Sequence, residues 1–388
     1  MVKPLNTLLS ALPTTIFTQM SALAREYDAI NLGQGFPDTE GPAELVEIAC
    51  AALRDGRNQY APLTGLPELR EAVAGCNQRF YGLSVDPNRE VIVTSGATEA
   101  LAACISAVTS PGDEVIVLEP AYDTYLPFLR LVGAVPVPVR LSPPDWSLPR
   151  EALSAAFNER TKAILLNSPM NPCGKVFTTE ELEFIAGLVR KYDSFAICDE
   201  VYEHLVFDAP HIPLMTLPDM RERCMRIGSA GKSFSFTGWK IGYITAPSPL
   251  AEVIAKAHQN LTFATAPNLQ RAVAAGLNKG EAFFGELAEG LCERRDLLAA
   301  GLRKCGFGVL PCNGTYFITA DISGLADEED DLSFCRRVTI EAGVTMIPVS
   351  AFCDPSAGTP PTRYVRFAFC KQPAVLSEAI RRLEAYFH

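Results

Sequence analysis

What the chain lacks narrows its function first. It has four histidines in 388 residues, and its twelve cysteines include no C-x-x-C pair. That spacing offers neither a zinc site nor a disulfide framework, so the thiols read as buried and reduced. No apolar run reaches the ~18 residues a membrane span needs, and the N-terminus has no basic segment leading into an apolar core. By these signs the chain is neither membrane-spanning nor exported, and a cytoplasmic address is expected. Basic residues are outnumbered, 34 Lys and Arg against 45 Asp and Glu, and no basic patch stands out to meet the phosphates of a nucleic acid. Low-complexity tracts and charge blocks are missing too. What is present is a globular composition, 48% hydrophobic, with ample material for a large core.

Short apolar runs alternate with helical stretches through the middle of the chain. "EVIVTS" precedes "ATEALAACISAV", and "DEVIVLEP" precedes "YLPFLRLVGA". "TKAILLNSP" leads to "TTEELEFIAGLVRKYD", where Thr178 and Glu181 have capping-box spacing, and "SFAICDE", "CMRIGSA" and "KIGYITA" follow. Such alternation predicts a mostly parallel sheet covered on both faces. Beyond about Pro249 the pattern turns helical, including a run from about Glu281 to Cys305, and the tail mixes strands with helices. This tail and part of the N-terminal segment read as a smaller α/β domain.

Ligands of open α/β sheets bind beyond the carboxyl ends of the strands. That rule directs attention to Thr94–Ala97, Asn167–Gly174, Asp199 with Tyr202, and Ser229–Lys232. Each has a plain alternative. "SGAT" is either a tight turn or an anion site at a helix N-terminus, and "NSPMNPCG" is either a turn or part of a site. Asp199 is either a helix cap or a ligand-binding acid. Two nucleotide motifs fail on single residues: Arg226 stands where a phosphate-binding loop before Lys232 needs Gly, and Asp38 ends "GQGFPD" where a dinucleotide fingerprint needs Gly. Lys232 is the odd residue. No charge lies within three positions on either side, and its neighbours are Gly231, Ser233 and Phe234. A poorly solvated amine loses its proton readily and attacks carbonyls. A covalently held aldehyde cofactor accounts for all the loops together: Lys232 as amine, Asp199 as the acid beside a pyridine nitrogen, Tyr122 as a stacking ring, and the Gly96–Thr98 turn for a phosphate.

Nine stretches in order, among them "QYAPLTGLPELREAV", "SGATEAL", "EPAYDTY", "NSPMNPCGKVF", "CDEVYEHLVF", "SAGKSFSFTGWKIGY" and "YVRFAFCK", make the resemblance specific. The chain resembles fold-type I, pyridoxal-phosphate-dependent aminotransferases of class I/II, and within them the kynurenine aminotransferase, glutamine transaminase K and methionine aminotransferase branch. The resemblance implies a large cofactor-binding domain over residues 48–290 with a mostly parallel seven-stranded sheet. Residues 1–47 and 291–388 then form the N-terminal arm and small domain. It also implies a homodimer with shared active sites.

By position, Lys232 resembles the Schiff-base lysine, which also moves the substrate proton, and Asp199 the partner of the pyridine nitrogen. Asn171 and Tyr202 match residues that bond the ring's phenolic oxygen, and Tyr122 matches the stacked aromatic. Gly96, Ala97, Thr98, Ser229 and Lys240 resemble the phosphate cradle, and Tyr60 a tyrosine that reaches the phosphate of the other subunit. Arg366 resembles the clamp on the substrate α-carboxylate, assisted by Asn167 and the Gly35 backbone. Where many class I relatives have arginine, this chain has Lys240, a point charge in place of a bidentate donor. Phe17 and Ala264 stand where mammalian members of the branch carry tryptophan and histidine, which implies an apolar but differently shaped side-chain pocket. Trp239, Phe234 and His258 read as packing residues, while Tyr125 and Phe17 divide between core and substrate contact. The expected activity moves the amino group of methionine, glutamine or an aromatic amino acid to a 2-oxo acid. A C–S β-lyase on the same cofactor is the alternative. A non-catalytic regulator on this fold would need a fused module for which the sequence has no spare length.

Overall fold

The structure, a computed structural model, describes residues 3–56 and 58–388. Thirteen strands occur among them: β1 Ile30–Asn31, β2 Val91–Thr94, β3 Glu114–Glu119, β4 Val135–Arg140, β5 Thr161–Asn167, β6 Phe195–Asp199, β7 Cys224–Ser229, β8 Gly242–Thr245, β9 Gly308–Val309, β10 Phe317–Asp321, β11 Val344–Thr345, β12 Ile347–Pro348 and β13 Tyr364–Ala368. Seven form one sheet in the order β2-β8-β7-β6-β5-β3-β4. The pairs from β7 through to β4 are parallel, and β8 runs antiparallel to both β2 and β7.

The sequence of these strands explains the layering. "VIVT" and "EVIVLE" are buried at every position, because helices cover both faces of the sheet and leave no solvent side for polar residues. β4, "VPVPVR", is the exception. Pro136 and Pro138 lack the N–H an interior strand must donate, and β4 accordingly lies at the sheet edge, paired with β3 alone and partly exposed. The helix Gly96–Val108 crosses β6, β7 and β8, and Ser248–Leu261 packs on that helix in turn. Thr178 caps the helix Thr179–Lys191 through the capping box its spacing predicts.

The tail adds a four-stranded antiparallel sheet, β12-β13-β10-β9, and the pair β1–β11 ties the N-terminal arm to it. One buried cluster runs from Ile197, Ile227 and Ile244 through Tyr316 and Phe317 to Phe367, so the tail's core continues that of the large sheet. The domain boundary expected at residues 290 and 291 falls inside the single helix Glu281–Lys304. Among the described residues no helix is long and apolar enough to cross a membrane.

Behind the strand ends lies a buried ionic network. The Arg226 Nε donates to Glu200 Oε2 at 2.5 Å and its Nη1 to Asn77 Oδ1 at 2.5 Å, while Nη2 bonds Glu203. His211 Nε2 lies 2.7 Å from Glu200, and the Tyr81 hydroxyl donates to Glu203 at 2.9 Å. Burial alone would raise the Glu203 pKa, but Arg226 and the neighbouring histidines hold it down at about 2. Removing the guanidinium strands two buried carboxylates. Arg226→Met is therefore expected to destabilise the fold by roughly 3–5 kcal/mol, read as a lower urea midpoint. A loss below about 1 kcal/mol would show that the carboxylates do not depend on it.

Candidate active site

The first wall is built by two glycines. Gly96 has a φ of +76°, and a Cβ there would come within 3.2 Å of the Lys240 Cε and Nζ. Gly242 pairs with Thr94 across β8 and β2, and its Cβ would lie 2.6 Å from the Gly96 carbonyl carbon and 2.8 Å from the Ala97 nitrogen. Small residues at both positions let the start of the helix Gly96–Val108 press against the sheet. Ser95 supplies no side-chain cap to that helix, and Lys240, itself left-handed at φ 54°, brings its ammonium to the first turn. Among the described residues Lys240 forms no ion pair. A helix N-terminus and an unpaired ammonium meeting at one point form an anion cradle of the kind a phosphate fills.

The carboxyl ends of β5, β6 and β7 supply the next three groups. Asn167 ends β5; its Nδ2 donates to the Asp199 carbonyl at 2.8 Å, and its Oδ1 accepts from the Asn171 N–H at 2.8 Å. Asp199 ends β6, buried, with Oδ2 accepting from the Tyr125 hydroxyl at 2.5 Å and Oδ1 from the Val201 N–H at 3.4 Å. Burial raises its pKa, against the Tyr125 and Val201 hydrogen bonds and the charge of Lys232. Ser229 ends β7, and Lys232 follows in the one-turn helix Ala230–Ser233. The Lys232 side chain is only partly covered as a whole, but its amine sits against aromatic walls. Nζ donates to the Tyr316 hydroxyl at 2.8 Å and lies 5.4 Å from the ring centres of Tyr202 and Tyr316. Burial pushes the amine down to about 8, opposed by Cys370 and Asp199 and assisted by Arg366 and Lys240. Burial against the Tyr202 and Tyr316 rings thus disfavours its charged form.

Arg366 rises from the centre of β13, 1% exposed. Its Nη1 donates to Asn171 Oδ1 at 2.8 Å and its Nη2 to the Gly33 carbonyl at 2.6 Å. The guanidinium lies 3.9 Å from the Phe317 ring centre, with Phe17 and Phe352 at 5.2 and 5.0 Å. It has no carboxylate partner among the described residues, its Nε is buried without a hydrogen bond, and burial lowers its pKa to about 10. A buried cation left without an anion is costly, and a carboxylate arriving here would offset that cost.

These groups surround one cavity of about 320 Å³. The cradle residues Gly96, Ala97, Thr98, Ser229 and Lys240 line it, as do Lys232, Asp199, Tyr202 and Tyr122. Phe17, Gly35, Asn167, Asn171 and Arg366 complete the set read from the sequence. Tyr60 and Ala264 do not reach it. They share a separate surface depression with Leu53 and Pro267, where Tyr60 is 84% exposed and stacks edge-on against Phe263 at 5.1 Å. Ala264 lies in the connection between the helix Ser248–Leu261 and the helix that Pro267 opens, where Phe263 and Ala266 are exposed and Thr265 is buried. Gly35 lines the cavity with its carbonyl accepting from Tyr316, while Arg366 itself bonds the Gly33 carbonyl. Trp239, which stacks on Phe236 at 3.8 Å, packs as expected. So does His258, bonded to Glu99 and the Leu63 carbonyl. Tyr125, read from sequence as core or substrate contact, is a core residue whose hydroxyl also bonds Asp199, and Tyr316 went unread because its partners are brought together by the tail's fold.

An amine whose pKa burial has pulled down to about 8, beside an anion cradle on a mostly parallel α/β sheet, equips an enzyme to hold a phosphorylated aldehyde cofactor. The model of the aminotransferase class I and II family matches residues 27–383, and the chain belongs to that family. A probable N-succinyldiaminopimelate aminotransferase of Mycobacterium tuberculosis is 44% identical over 379 residues, covering 95% of each chain. The methionine aminotransferase of Escherichia coli is 41% identical, covering 97% of this chain and 96% of the relative. A solved structure from Escherichia coli described with a methionine aminotransferase function superposes with a TM-score of 0.95 at 39% identity, covering 99% of this chain and 100% of the other. An aspartate aminotransferase mutant from Thermus thermophilus superposes with a TM-score of 0.90 at 32% identity, covering 99% and 100%. The chain is a pyridoxal-phosphate-dependent aminotransferase of fold type I, acting on amino acids and 2-oxo acids. The relatives named here are all aminotransferases, which does not favour the lyase alternative.

Proposed function

We propose that Lys232 is the amine that carries pyridoxal phosphate. Gly96–Thr98, Ser229 and Lys240 hold its phosphate; Asp199, Tyr122, Asn171 and Tyr202 hold its ring. Support comes from the fit of an unpaired ammonium and a helix N-terminus to a phosphate, and of an amine with a lowered pKa to an aldehyde. Bound there, the cofactor supplies an electron sink for the pair left at the donor's α-carbon. Asp199 presents a carboxylate to a ring nitrogen, braced by Tyr125. Arg366 fixes the α-carboxylate of the donor through donors now turned to Asn171 and Gly33. Lys232, released from the cofactor, takes the α-proton of the donor and returns it later.

The donor we propose is a medium-sized apolar or aromatic amino acid, or methionine or glutamine. One observation carries this. The basic side chains lining the cavity are Lys232, Lys240 and Arg366, which this reading assigns to the cofactor and the α-carboxylate, and the remaining wall includes Phe17, Phe36, Leu101 and Phe317. A side-chain carboxylate would be buried there without a partner. kcat/KM for methionine, glutamine or an aromatic donor should exceed that for aspartate by at least roughly tenfold, about 1.4 kcal/mol. Arg366→Ala should weaken all donors alike. Aspartate as the best donor would overturn the pocket reading.

We also propose a cytoplasmic homodimer in which Tyr60 and Ala264 face the neighbouring subunit's site. The exposure of Tyr60 beside Phe263 and Leu261, all on one surface, supports it. Mixed Tyr60→Phe and Lys232→Ala chains should regain activity in hybrid dimers, since one site per hybrid draws both residues intact. Hybrids that form without any rescue would show that each chain completes its own site.

A further inference from the structure

Tyr316 stands at the point where the tail meets the reacting amine. It lies just before β10, is 1% exposed, and contacts Tyr202 and Phe317 edge-on at 5.2 and 4.8 Å. Its hydroxyl has two partners: the Gly35 carbonyl at 2.6 Å and the Lys232 Nζ at 2.8 Å. A carbonyl oxygen can only accept, so the one hydroxyl proton of Tyr316 points to Gly35. The oxygen therefore turns a lone pair to Lys232, and the amine must donate.

We infer that Tyr316 is a positioning residue that orients the free Lys232 amine, holding one of its N–H groups so that the lone pair of the neutral amine faces the cavity. Tyr316 neither gains nor loses a proton. The proton leaving the donor's α-carbon goes to the nitrogen of Lys232 and is later returned from it. The anchoring carbonyl belongs to the same short loop whose Gly33 carbonyl accepts from Arg366 and whose Phe36 carbonyl accepts from Lys371 at 2.8 Å. Orientation of the amine is thereby tied to the loop that holds the carboxylate-binding arginine. This inference rests on Lys232 being the reacting amine, as proposed above.

The test is Tyr316→Phe, which keeps the ring and its edge contacts. The holoenzyme should form its visible chromophore as the wild type does and unfold at the same temperature. Its kcat should fall at least roughly tenfold with KM changed less than about threefold, the size expected when a hydrogen bond is made mainly in the transition state. An α-deuterated donor should show a larger isotope effect on kcat/KM in the variant. A readout independent of turnover is the titration of Lys232 in the cofactor-free chain, followed by ¹³C-methyl labelling. Facing this amine are Tyr202, Tyr316, Asp199, Arg366, Lys240 and Cys370. An acceptor favours the charged form, so its removal should move the midpoint below the wild type's. Unchanged kcat and isotope effect, or a fall in kcat matched by lost chromophore and lower Tm, would overturn the inference. If the wild-type chromophore forms without Lys232, the prior assignment fails instead, and does so whatever Tyr316 does.

Discussion

Desolvation of positive charge is the constraint on which this structure turns. Lys232, Lys240 and Arg366 line one cavity, and Asp199 is the acid that lines it with them. Phe17, Tyr122, Tyr202 and Phe317 stand among them, so the charges of Lys232 and Arg366 are less stable than on the surface. Two consequences follow from the same physics. Lys232 and Arg366 both have pKa values depressed by burial, which makes one amine a nucleophile and leaves a guanidinium in need of a carboxylate. A cavity with unmet positive charge is selective for anionic ligands without any part having to move.

The fold makes this arrangement affordable through the network behind it. Successive strand residues point to opposite sides, and at the end of β6 Asp199 meets Tyr125 on the site side while Glu200 meets Arg226 in the buried network. The acids Glu200 and Glu203 are matched by Arg226 there, not by the cavity's cations. Charges of the two compartments are thus kept apart across one strand. The tail closes the cavity from the other side, with Arg366 from β13 and Tyr316 from the approach to β10.

Much of this was legible in the sequence because the informative residues are local exceptions. Lys232 without neighbouring charges, the Gly96–Thr98 turn and the capping box at Thr178 each break or obey a short-range rule. The Ser229–Lys232 turn and the Asn167–Asn171 loop then fall at strand ends, where topology brings them together. Residues whose roles depend on distant partners were not legible. Tyr125 and Asp199 are 74 positions apart, Tyr316 and Gly35 are 281 apart, and no periodicity links either pair. The bond from Arg366 to the Gly33 carbonyl was not legible either, because the direction of a carbonyl is set by the folded loop. Ala264 reads as a pocket residue by position, and within one chain it lies beside Tyr60 in the separate depression, a placement no composition reveals.

The most direct test of the account is to reduce the cofactor-loaded enzyme with borohydride, digest it, and locate the modified residue by mass spectrometry. The prediction is a single pyridoxyl group on Lys232, within the peptide that also carries Ser229. Modification at Lys240, which lies at the same cavity with its amine beside Gly96, or at any other lysine, would contradict it. In that case the burial that lowers Lys232 would have no part in the chemistry.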